Sequence, residues 1–121
     1  MTDATQRDSG LIDVPSGQAV TLLDVVWGMP EPEGPTLRFR FLAPQIARDG
    51  GSVNYASAAA DLLHLCQSYA LPRAADFGEE PALIVVSLSD VALPFGTTAP
   101  DATQYFDAFT LQGDACISEN I

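Results

Sequence analysis

The chain predicts an α+β fold: a single antiparallel sheet of about four or five strands with one principal helix packed on one face. Three stretches carry that expectation. Thr36 to Leu42 alternates, with Leu37, Phe39 and Phe41 on one face and Arg38 and Arg40 on the other, the period of a strand buried on one side and wetted on the other. Tyr55, Ala59, Leu62, Cys66 and Tyr69 recur at helical spacing, with Leu63, Leu65 and Ala70 widening the stripe. Ala82 to Leu88 is a continuous apolar run rich in β-branched side chains, as the central strand of such a sheet requires.

The other elements follow in chain order. Residues 1–13 are expected to be a disordered lead, the first ten being polar and aperiodic, and residues 14–121 a single domain. Ala19 to Trp27 is apolar and β-branched, and reads as a mostly buried strand. Gly28 to Pro35 breaks it with three prolines and two glycines, so this strand and Thr36–Leu42 form a hairpin with a long acidic loop. Asp49-Gly50-Gly51 marks a turn, Ser52 to Asn54 is expected as a short edge strand, and Pro72 is expected to stop the helix. Leu93 to Pro100 is an apolar-flanked loop. Thr103 to Leu111 reads either as a strand, paired through Gln112-Gly113-Asp114 with Ala115 to Glu119, or as a short helix opening at Pro100. The hairpin is preferred because it brings Cys116 beside the helix that carries Cys66. Leu37, Phe39, Phe41, Leu62, Cys66, Val85 and Leu88 are the expected core.

At 121 residues and 47% hydrophobic content the chain buries one core despite a net charge of −11. That charge argues against nucleic acid or an anionic lipid surface as partner, since either repels the protein at long range; a protein partner, if there is one, is expected to be basic. No apolar run approaches the roughly 20 residues of a transmembrane segment. Cys66 and Cys116 are the only thiols. If they pair, the bridge ties the helix to the last strand, closes a loop of about 50 residues worth roughly 4 kcal/mol, and persists only in an oxidising compartment. The first ten residues have neither the basic nor the apolar region of a signal peptide, which read literally is cytoplasmic. Read as a mature chain whose leader has been removed, the protein is periplasmic or secreted, and the cysteine pair favours this second reading.

Several blocks together carry a resemblance: His64-Leu65-Cys66, Tyr69-Ala70-Leu71-Pro72, Val85 to Asp90, Phe95-Gly96, Thr103 to Phe109 and Gly113 to Ile117. In their order and spacing the chain resembles a domain-of-unknown-function family of short exported bacterial proteins with two cysteines, some of them loosely labelled acetolactate synthase. The similarity runs from about Val14 to the end. It implies export by a cleaved signal peptide and a Cys66–Cys116 disulfide; it supplies no catalytic residues. The acetolactate synthase label fails physically, because a thiamine diphosphate enzyme needs cofactor domains several times this length.

Chemistry-bearing residues are sparse. His64 is the only histidine, with Asp61 three residues earlier and near enough to hold an imidazolium on the helix surface. Two thiols and one imidazole fall short of a structural zinc shell, no calcium-loop, nucleotide-binding or nucleophile-elbow motif occurs, and no metal or cofactor is implied. Acid pairs can be drawn from Asp24, Asp90, Asp101 and Asp107, as in any acidic protein. Trp27, Met29, Pro94 and Phe95 are apolar residues at or beside turns, and if they converge they make an interaction patch. The expected function is a non-catalytic exported binding or accessory module; the alternative is a small hydrolase using His64 or aspartate side chains.

Overall fold

The structure, a computed structural model, describes residues 11–28, 34–47, 51, 53–74, 76, 81–94 and 102–119. Its frame is one five-stranded sheet in the order β1-β2-β3-β4-β5. The strands are β1 (Thr21–Gly28), β2 (Thr36–Leu42), β3 (Leu83–Ser89), β4 (Gln104–Gln112) and β5 (Ala115–Ser118). A helical stretch lies between β2 and β3: α1 (Tyr55–Leu65), a π-helical turn (Cys66–Ala70) and α2 (Leu71–Ala74). The expected α+β fold with a single principal helix is the one observed.

Three pairings are antiparallel, and β2–β3 is parallel, with Thr36 beside Leu83 and Leu42 beside Ser89. Here the sheet departs from the fully antiparallel expectation. The reason is topological: the chain leaves β2, runs back along the sheet as the helix, and re-enters β3 in the same direction, the crossover that parallel neighbours need. Ala82 to Leu88 was expected to be central, and β3 is the middle strand. Ala19 to Trp27 was expected to be mostly buried; Val20 is, but from Thr21 onward the chain is an edge strand whose residues are partly or largely exposed. A β-bulge between Leu22 and Asp24 interrupts its register with β2.

Thr103 to Leu111 is strand, not helix: β4 and β5 form a hairpin through Gly113-Asp114, and Gly113 adopts a φ of 62°, which its missing Cβ permits without strain. Of the expected Ser52–Asn54 edge strand, Ser52 lies outside the described residues, and Val53 and Asn54 are not strand. Asn54 is the helix N-cap, its side chain accepting the Ser57 N–H at 2.9 Å. Pro72 does not end the helix either. The π-helical turn precedes it, and Leu71 donates to the Cys66 carbonyl five residues back. That wider register takes the chain past the proline, whose ring would clash with the carbonyl four residues upstream in a regular α-helix.

The core lies between the helix and one face of the sheet. Leu37, Phe39, Phe41, Ile84, Val86, Leu88 and Phe109 supply the sheet side, and Ala58, Leu62, Leu65, Cys66, Ala70 and Ala74 the helix side. Tyr69 packs edge-on against Phe39 and Phe41, with ring centroids 6.2 and 5.6 Å apart. The guanidinium of Arg73 lies over the Tyr69 ring, 3.7 Å from its centroid. All seven expected core residues are buried, although Val85 belongs to the opposite face, in register with Arg38. The helix stripe is rotated from the expected one: Tyr55 and Leu63 are exposed, and Asp61 is inside.

Cys66 and Cys116 form a disulfide across 50 residues, with Cα atoms 6.3 Å apart and both side chains buried. Gln67 reinforces it, accepting the Cys116 N–H at 3.0 Å and donating to the Asp114 carbonyl. Cys66→Ser is expected to lower the unfolding free energy by about 2–5 kcal/mol in denaturant titration. Intact unreduced protein should weigh two hydrogens less than reduced protein; free thiols in material from an oxidising compartment would contradict the bond.

Candidate functional site

The alternation that buries one face of β2 leaves a second face uncovered by the helix. Two rows cross it. One runs Val26, Arg38, Val85, Ala108, and the other Asp24, Arg40, Ser87, Phe106. Val85 and Ala108 are buried as a floor, while Phe106 is 48% exposed. Arg40 is held in place: Nη1 donates to Asp24 Oδ2 at 2.6 Å, and Nη2 donates to the Leu93 carbonyl. Between these groups lies a concavity of about 300 Å³ lined by Leu23, Arg38, Arg40, Ser87, Gln104 and Phe106 among others.

The second feature is the outer edge of β1. Among the described residues no strand pairs beyond it. Leu22 and Trp27 stand on the helix side of this strand, opposite Phe41 and Leu37, and Trp27 is 38% exposed. An eight-residue edge strand with exposed large apolar side chains is unusual, because free edges invite pairing with another chain and are normally kept short or charged.

The third is a buried polar cluster beneath the start of the domain. Asp61, fully buried on α1, accepts the Ser16 N–H at 2.9 Å, the Ser16 hydroxyl at 2.5 Å and the Gln18 amide Nε2 at 2.7 Å. The turn that presents these donors passes through Gly17 at a φ of 81°. Ile12 then donates to the Val20 carbonyl at 2.8 Å, and Ile12 and Val14 lie against the core. Residues 1–10 of the expected lead lie outside the described residues. Gln18 Oε1 is buried with no partner among the described residues.

The sequence-derived candidates are dispersed. Trp27 lies on the helix-side face, whereas Leu93 meets Arg40 on the open face and Pro94 follows it exposed; Met29 and Phe95 lie outside the described residues. His64 is half-buried on α1. Its expected surface partner, Asp61, is turned inward, its carboxylate taken up by the Ser16 and Gln18 donors of the turn packed against the helix. Asp24 is paired with Arg40, Asp90 accepts the Thr103 N–H at 3.0 Å, and Asp107 accepts the Ala108 N–H at 2.8 Å and the Ser118 hydroxyl; Asp101 lies outside the described residues. These three sit on β1, after β3 and on β4, each tied to a structural partner. Among the described residues no three His, Cys, Asp or Glu side chains gather as a metal site.

Sequence reasoning placed Arg38 and Arg40 on one face but did not make a site of it. The missing part was Phe106, whose face is defined only once β4 is known to be a strand. The Asp61 cluster had no local signal, since its partners lie 43 and 45 residues away.

The geometry is that of a small disulfide-clamped α+β domain with one sheet face covered by the helix and a second on which no helix lies among the described residues. The chain belongs to a family of unknown function, DUF6497, whose model matches residues 1–121. No curated protein and no solved structure matches it.

Replacing Asp61 by Asn removes the charged acceptor while keeping its size. With hydrogen bonds to charged groups contributing about 1.5–3 kcal/mol each, Asp61→Asn is expected to destabilise the fold by roughly that amount in urea titration, and Ser16→Ala by less. An Asp61→Asn protein as stable as the parent would show that the cluster does not hold the 16–18 turn to the helix.

Proposed function

We propose that the chain is an exported, non-catalytic binding or accessory module that engages a protein partner along the free edge of β1. The observation that carries this reading is the eight-residue edge strand, beyond which no strand pairs among the described residues, with Leu22 and Trp27 exposed on it. Such an edge suits addition of an extended segment, whose main chain completes the sheet while alternate side chains meet the apolar positions. Charge selects the partner: at a net −11 a basic segment is attracted and an acidic one or nucleic acid is repelled.

Export is supported by the disulfide, which is buried within the core and which reducing compartments do not maintain. Among the described residues no helix is long and apolar enough to cross a membrane. The hydrolase alternative would need His64 or an aspartate to meet a second reactive group, and nothing in the described geometry favours it over the edge.

Affinity capture with the tagged mature protein from an envelope fraction tests the reading. A basic partner should be recovered repeatedly, lost with Trp27→Ala and retained with His64→Ala, both variants melting as the parent does. Turnover of a substrate abolished by His64→Ala would overturn it.

A further inference from the structure

The two ends of the sheet are unlike. β1 runs eight residues with no strand beyond it among the described residues, whereas β5, at the other end, has four. Alternation along β5 determines which of its backbone groups face outward. Glu119 donates its N–H to the Ala108 carbonyl at 2.8 Å, so residues 115, 117 and 119 turn their main chain toward β4 and Cys116 turns its own away. The outward Cys116 N–H meets a side chain and not a strand. Gln67 Oε1 accepts it at 3.0 Å, while Gln67 Nε2 donates to the Asp114 carbonyl. A carbonyl and the N–H two residues further on are the pair that one residue of a parallel neighbouring strand engages. The Gln67 amide therefore stands where a residue of a sixth strand would.

Its placement is firm. Cys66 is bonded to Cys116, so the next residue of the π-helical turn is held beside the same stretch of β5. Gln67 is itself exposed, so its amide serves the edge and not the core.

The direction of the strands shows what such an edge would otherwise accept. The four pairings set β2, β3 and β5 in one direction and β1 and β4 in the other. A second copy of the chain, shifted along the sheet with the rotation that sheet twist adds, would lay its β1 antiparallel against β5 and prolong the sheet. A third could follow it. Such a head-to-tail contact joins two different surfaces and does not close on itself, so it leads to open chains of molecules.

We infer that Gln67 is an edge cap: its side-chain amide closes β5 against the β1 strand of a second copy and so confines strand addition to β1. This inference needs β1 to be a free edge; it does not need the basic partner proposed for that edge.

The test is sedimentation velocity on the full, disulfide-bonded chain as its concentration is raised, with salt at about 0.5 M to screen repulsion between acidic copies. The parent should stay monomeric. Gln67→Ala should form dimers and longer species, and an excess of a peptide with the sequence of residues 21–28 should return them to monomer by occupying β5. Ser68→Ala, a change at the neighbouring exposed residue, should leave the parent behaviour unaltered. Hydrogen exchange supplies a second reading in dilute, monomeric protein: the Cys116 amide should exchange at least about fivefold faster in Gln67→Ala than in the parent, as loss of one hydrogen bond implies. Equal exchange in the two proteins overturns the cap. So does a Gln67→Ala protein that stays monomeric at every concentration, or a Ser68→Ala protein that associates as readily. Association that the peptide leaves untouched would overturn the pairing of β5 with β1. A basic partner captured through Trp27 while Gln67→Ala stays monomeric would sink this inference alone, and association of Gln67→Ala without any captured partner would sink only the edge reading.

Discussion

The register of β2 organises everything else in the molecule. Its side chains alternate Leu37, Phe39 and Phe41 with Arg38 and Arg40, and the period of a strand is two, so a slip of one residue would drive two guanidiniums under the helix and expose two phenylalanines. Burying an unpaired charge costs several kcal/mol, which makes that register hard to escape. Because β2 is bonded to β1 on one side and to β3 on the other, its register is passed to both neighbours, and through β3 to β4. The division of the sheet into a helix-covered face and an open face is thus decided within seven residues.

The helix is attached to that sheet at two places by unlike means. Near its first half Asp61 gathers donors from the 16–18 turn, a polar joint that fixes direction because each bond has its own geometry. At the π-helical turn Cys66 bonds to β5 and Gln67 brackets the same strand, while Tyr69 settles on Phe39 and Phe41. The π-helical turn makes both consequences compatible: it lets the chain pass Pro72 and places neighbouring residues 66 and 67 against one strand.

What could be read from the residues alone follows from the range of each interaction. β2 was legible because alternation is local, and β3 because a short apolar run between turn signals suits a strand paired on both sides. The same argument misjudged β1: an apolar β-branched run looks alike in the middle of a sheet and at its edge, and only pairing tells them apart. The Asn54 cap was hidden because Val53 and Asn54 also fit a short strand, and the passage through Pro72 because a π-helical turn has no sequence signature of comparable strength. The parallel β2–β3 pair is a property of topology, not of either strand. As for the candidate sites, the two arginines were visible, their convergence with Phe106 was not, and Asp61 looked like a surface residue because its partners are distant in sequence.

The position of the disulfide has a consequence for which part of the fold it secures. Cys66 precedes the thiol it bonds by 50 residues, and β1, β2, the helix and β3 all precede that thiol in the chain. The contacts among the helix and the first three strands, apolar packing, sheet pairing and the Asp61 hydrogen bonds alike, involve none of the residues that follow β3. The second sulfur belongs to the β4–β5 hairpin. The covalent link joins the helix to the last strand and to nothing earlier in the chain, a latch on the final element and not on the first three strands.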